Sequence, residues 1–174
     1  MNPRSVVLTF DYELFFGRSG TPEQCLLEPT DALLDVLAEL QAPGCFFVDA
    51  TYLLRILEEP RAAEDARRVG DQISRMVAEG HRVELQMHPH WVDAVWLGEG
   101  RWVFPTYRHY RLLTLGRARA IDLVVASTEA LASLARDARP DYTVEAYRAG
   151  GFCAQPFDII GEAMTAAGLT IDSS

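Results

Sequence analysis

The chain has 174 residues, one domain by length, and its 49% hydrophobic and 24% charged residues are an ordinary globular composition. The formal charge is −9, and the sixteen basic residues are all arginine, which excludes lysine nucleophiles and Schiff bases. The acidic balance argues against nucleic acid or an anionic membrane as partner.

Strand-like and helix-like segments alternate along the chain. Residues 5–10 form a short β-rich run that ends in Asp11-Tyr12-Glu13. Thr30 is the expected N-cap of a helix with Leu33, Leu37 and Leu40 at helical spacing, stopped by Pro43-Gly44. Residues 45–48 form the second strand. From about Ala62, the stripe Val69, Ile73, Met76 and Val77 predicts a helix closed by Gly80. Residues 82–88 form the third strand, which runs into Pro89-His90-Trp91, and residues 89–116 form a long, aromatic-rich connection. Residues 117–136 form the longest predicted helix, with Ile121, Val124, Thr128, Leu131 and Leu134 on one face. Residues 142–148 are the fourth strand. Pro156 opens a helix through Phe157, Ile160 and Met164 to Gly168, and residues 169–172 start a fifth strand. Strands alternating with helices imply βαβ units and a parallel sheet. The fifth strand has no helix after it, so its open edge invites self-association.

Cys25, Cys45 and Cys153 are widely spaced and form no CxxC, so neither a disulfide framework nor a cysteine zinc site is expected. No signal-peptide core opens the chain and no apolar stretch reaches the length of a membrane span, so a soluble cytoplasmic protein is expected.

Three polar motifs stand at strand ends: Thr9-Phe10-Asp11-Tyr12-Glu13, His88-Pro89-His90-Trp91 and Arg148-Ala149-Gly150-Gly151. Ligands and chemistry collect at the carboxyl ends of strands in α/β folds. Side chains alternate across a strand, so Glu84, Gln86 and His88 share a face, and His90 continues that row if the chain stays extended. Two converging imidazoles suit Zn²⁺ or another borderline divalent metal, although both histidines also read as turn residues. Thr9, Asp11 and Glu13 share a face by the same rule. Their carboxylates divide naturally into a metal ligand and a general base, or cap a helix or loop. An inward Arg148 would hold a carboxylate ionised, or form a structural ion pair. The aromatics of the long connection, Trp91 and Tyr107 among them, either stack sugar rings or fill a packed lid.

In this order the motifs resemble the polysaccharide deacetylase family, also called the NodB-homology domain or carbohydrate esterase family 4. The resemblance runs over roughly residues 6–174 and implies a parallel (β/α) barrel, here about five βα units of an incomplete barrel, with residues 1–174 its N-terminal part. It implies a metal-dependent hydrolase, usually with zinc, that removes acetyl groups from an N- or O-acetylated carbohydrate. Thr9-Phe10-Asp11 matches the family's TFDDG motif, which makes Asp11 the base. Tyr12 stands where the family has a metal-binding aspartate, so Glu13 is the nearest substitute ligand. His88 aligns with the first of two family histidines. The second would fall at Val92, and His90 takes its place. Arg148 matches the arginine that pairs with the catalytic aspartate, and Gly150 lies where a backbone N–H would face the oxyanion. The family's later motifs, with a Leu-x-His that supplies the general acid, would lie beyond Ser174, so the chain is expected to be part of a longer protein. His109 is the first candidate for an acid within it. The expected site is Asp11 and Arg148 for catalysis, Glu13, His88 and His90 for the metal, and Trp91, Tyr107 and Gly150 for substrate. A non-catalytic sugar- or protein-binding domain and a glycoside hydrolase on a related barrel are the competing readings.

Overall fold

The computed structural model describes residues 6–14 and 20–174. In chain order the elements are β1 (Leu8–Tyr12), α1 (Glu28–Glu39), β2 (Gly44–Asp49), α2 (Ala50–Glu58), α3 (Ala63–Ala78), β3 (Arg82–Met87), β4 (Val95–Gly98), β5 (Arg101–Val103), α4 (Arg117–Ala138), β6 (Ala146–Ala149), α5 (Phe157–Ala166) and β7 (Ile171–Asp172). Five strands form a wholly parallel sheet of order β1-β2-β3-β6-β7. Strands β4 and β5 form a separate antiparallel hairpin inside the long connection. The fold is α/β with helices as crossovers, as the alternating pattern predicts. The sheet is open, with β1 and β7 at its edges.

Alternation along the strands separates two faces. Phe46, Val48, Val83, Leu85, Met87 and Tyr147 join the apolar stripes of the helices in one core. Tyr12 belongs to this side, and its hydroxyl donates to Gln72 Oε1 on α3 at 2.8 Å. The opposite parity carries Thr9, Asp11, Phe47, Glu84, Gln86 and Arg148. Glu84 and Gln86 are buried although polar, so that face needs internal partners. Glu84 Oε2 accepts from the backbone N–H groups of Glu145 and Ala146 at 2.8 Å each, while Arg82 donates to its Oε1 at 2.5 Å.

Several elements depart from the predicted boundaries. Thr30 is buried inside α1 and caps nothing, because a wide turn over Glu23–Leu27 already brings Leu26 and Leu27 into the core and runs straight into the helix. Helix α2 is an addition. It follows β2 with no intervening residue, and Asp49 caps it by accepting from the N–H groups of Thr51 and Tyr52. The fourth predicted strand is shorter because the Tyr142 hydroxyl occupies the edge of β3, accepting from Val83 N at 2.6 Å and donating to Val83 O at 2.9 Å. Ladder pairing there begins only at Leu85 opposite Tyr147. Ser5, the expected start of the first strand, lies outside the described residues. Among the described residues no helix is long and apolar enough to cross a membrane.

The amino end of the sheet carries a titratable tie at His81. Gly44 opens β2, and a Cβ there would lie 2.8 Å from the Phe10 ring, which would have to shift to admit it. Its N–H donates to Nδ1 of the buried His81 at 2.9 Å. Burial, above all, lowers the His81 pKa below its ordinary 6.5. The unfolded chain therefore binds more protons than the fold between the folded value and about 6.5. Stability from this group is complete above that pH and declines as pH falls through the window. His81→Gln keeps an acceptor that does not titrate. Denaturant midpoints at pH 7.5 and 5.5 should fall less on acidification in this variant than in the parent, and equal declines would remove His81 as the cause.

Candidate active site

Four strands deliver the site at their carboxyl ends. Asp11 is the penultimate residue of β1, and Arg148 lies in β6, opposite Gln86 of β3. The guanidinium crosses the sheet to reach it. Arg148 Cζ lies 3.7 Å from the centroid of the Phe47 ring, which is the floor of that crossing. Nη1 donates to Asp11 Oδ1 at 2.5 Å, and Nη2 donates to Thr9 Oγ1 at 3.3 Å and Ser173 Oγ at 2.9 Å. The arginine side chain is 11% exposed and the aspartate 38%. A buried cation thus holds one oxygen of a carboxylate that still meets solvent.

Beside this pair runs a second line of charge. Glu13 Oε2 lies 3.2 Å from His88 Nε2, and Asp49 Oδ2 lies 3.2 Å from His88 Nδ1. The imidazole therefore stands between two carboxylates, with Asp49 at the end of β2 and His88 just past β3. The backbone N–H of His88 donates to Thr51 Oγ1 at 2.9 Å, which fixes the strand end against α2. Gly150 closes the other side. A Cβ there would fall 2.4 Å from His88 Cδ2 and 2.6 Å from the Met87 carbonyl oxygen, so the close approach requires glycine.

Both members of the Glu13–His88 pair are shifted upward, for different reasons. Burial raises the Glu13 pKa, with Asp49 and Asp11 adding to it and His88 and Gln86 opposing it. Burial works to lower His88, but the carboxylates of Asp49, Glu13 and Asp11 outweigh it and the net shift is upward. Burial pushes His90 down to about 4, which keeps its imidazole neutral at physiological pH.

The structure places His90 differently from the extended row. Pro89–Asp93 form a tight turn in which Trp91 N donates to His88 O at 3.1 Å. The turn swings the His90 ring to 5.6 Å from that of His88, edge-on, and sets it 4.9 Å from Phe104. Trp91, expected to stack substrate, is buried against Tyr52, Trp102 and Phe104 at 4.8, 5.8 and 4.9 Å between ring centroids. It packs the lid. Tyr107 remains 48% exposed. His109 lies in the same lid, its Nδ1 3.2 Å from Thr114 Oγ1 and its Nε2 3.8 Å from Asp93 Oδ2.

Among the described residues no three His, Cys, Asp or Glu side chains converge as a metal site. A pair does fit a divalent ion. Two ligand atoms at zinc distances and a tetrahedral angle lie roughly 3.3 Å apart, and Glu13 Oε2 and His88 Nε2 are 3.2 Å apart. Glu13 Oε2 is also buried with no hydrogen-bond partner among the described residues, as a ligand atom awaiting an ion would be. Asp49 is the carboxylate beside His88 that sequence reasoning missed. Its signal was an aspartate at a strand end, directly before a segment that reads as helix.

A family model described as polysaccharide deacetylase matches residues 1–158. No curated protein and no solved structure shows significant similarity to the chain.

Proposed function

The chain belongs to the polysaccharide deacetylase family, and on that premise we propose that it hydrolyses acetyl groups from an N- or O-acetylated carbohydrate with the help of a divalent ion, zinc by preference. The observation that carries this reading is the Arg148–Asp11 pair standing beside the Glu13–His88 pair at the carboxyl end of the same sheet. Residues 1–174 then form the N-terminal part of a domain of this family, and the polar face that carries Asp11, Gln86 and Arg148 lines the inside of an incomplete (β/α) barrel. The burial of Glu84 and Gln86 supports that placement.

Glu13 and His88 would hold the ion, and His90, whose ring stands 5.6 Å from that of His88, would be a candidate for a further ligand. When bound, the ion supplies Lewis acidity to the acetyl carbonyl and to the attacking water. Arg148 occupies Asp11 Oδ1, which leaves Oδ2 to accept the proton of that water as it attacks. The same salt bridge keeps the carboxylate oriented. The backbone N–H at Gly150, beside His88, is the donor for the oxyanion. The proton taken by Asp11 returns to the leaving nitrogen or oxygen, so that acetate and the free amine or hydroxyl are released. Tyr107, exposed on the lid, contacts the sugar.

Acetate release from an oligomer of N-acetylglucosamine and from an O-acetylated oligosaccharide tests the reading. Zinc-loaded protein should release acetate from at least one, and His88→Ala should abolish most zinc binding and the release with it. His90→Ala should weaken zinc binding strongly. Zinc content unchanged in both variants would remove the proposed site. Zinc bound without acetate from either substrate would leave a sugar-binding domain.

A further inference from the structure

The structure assigns Asp49 a task beyond capping α2: we propose that it is the positioning residue that keeps the His88 proton on Nδ1 and leaves the Nε2 lone pair aimed at the Glu13 carboxylate, where a divalent ion would enter. The inference rests on the metal reading of Glu13 and His88. His88 has a carboxylate oxygen at 3.2 Å from each ring nitrogen, and geometry alone allows the proton on either side. Fixation decides between them. Asp49 is 1% exposed, whereas the Glu13 side chain is 26% exposed. Asp49 Oδ1 accepts from the N–H groups of Thr51 and Tyr52 at 3.2 and 3.3 Å, and this two-point hold turns Oδ2 to His88. Oδ2 is buried and meets no hydrogen-bond donor other than this ring among the described residues. An orphaned buried carboxylate oxygen is costly unless it takes a proton donor, and Nδ1–H is the one within reach. The second anchor is at the backbone, where His88 N donates to Thr51 Oγ1 at 2.9 Å. Asp49 and Thr51 thus grip the histidine by ring and by main chain from the first turn of one helix. A carboxylate that fixes a histidine tautomer in this way raises the basicity of the free nitrogen and its affinity for metal.

Asp49→Asn separates the tasks. The amide oxygen still caps Thr51 and Tyr52, while the amide nitrogen now faces Nδ1 as a donor, which forces the ring proton to Nε2. Nitrogen-15 NMR of the metal-free proteins reads the tautomer directly, and calorimetric titration with zinc reads affinity. The parent should carry its proton on Nδ1. The variant should carry it on Nε2, keep an unfolding midpoint close to the parent's, and bind zinc 10- to 100-fold more weakly, in the range expected for the loss of such a partner. Asp49→Ser, which keeps a cap but is too short to reach the ring, should also weaken zinc binding and covers the case in which the asparagine variant does not fold. A parent protonated on Nε2 overturns the inference, as does zinc affinity unchanged in the variants. If the parent itself binds no zinc, the metal reading falls, and the tautomer comparison still decides whether Asp49 holds the ring.

Discussion

Asp11→Asn should keep bound zinc and slow acetate release by roughly 10²-fold or more. Asparagine preserves the shape of the side chain, and its amide oxygen can still accept from Arg148 Nη1, which now stands 2.5 Å from Asp11 Oδ1. What is lost is the ability of the other oxygen to take a proton from water. Glu13→Gln should behave in reverse, lowering zinc occupancy first, because Glu13 Oε2 faces His88 Nε2 at ligand spacing while Asp11 is committed to the arginine. Arg148→Lys adds a check on orientation. A lysine presents one point of charge and cannot span Asp11, Thr9 and Ser173 together as the fork does, so it should lower turnover while leaving zinc content intact. Zinc content and acetate release measured on the same three preparations decide the assignment. Loss of zinc from Asp11→Asn with retention in Glu13→Gln would mean that the two carboxylates have exchanged roles.

The parts of the site that a reader of the sequence can find are those governed by strand parity. Parity puts Asp11 on the face of Arg148, and those side chains meet across β2 and β3. It also puts Glu84, Gln86 and His88 on one face of β3, where the first two are buried as a polar row. Parity stops at Pro89. A proline after a strand reads as extended chain, yet here it opens a tight turn, and His90 leaves the row for the aromatic lid. The pull on that turn is the burial of Trp91 among Tyr52, Trp102 and Phe104, contacts from two other elements that local sequence does not display. Asp49 was hidden for a different reason. Helix α2 begins at the residue after β2, with no glycine, proline or polar run to separate strand from helix, so the cap that would have announced it also ends the strand. The predicted fourth strand begins too early because Tyr142 and Val144 carry β-like character, while the Tyr142 hydroxyl, a tertiary contact, occupies the edge that their backbone would have used.

Trp91→Ala should cost about 3–5 kcal/mol of folding stability, the range for removing a large buried aromatic. The residue is 2% exposed and its ring meets one aromatic of α2 and two of the lid, so the cavity opens where the lid is pinned to the helix layer. Its Nε1 is buried with no hydrogen-bond partner among the described residues, so the side chain contributes through packing. Trp91→Phe keeps most of that packing and should cost less than the alanine variant. The same lid places His90 beside Phe104, and a loosened lid should also weaken zinc binding. Tyr107→Ala is the contrasting variant. Its side chain is half exposed, so stability should stay within about 1 kcal/mol of the parent, while KM for the acetylated sugar rises. Denaturant titration and steady-state kinetics on the three proteins separate the roles. A Trp91→Ala protein as stable as the parent but raised in KM would return Trp91 to the substrate surface and would mean that the lid opens to expose it.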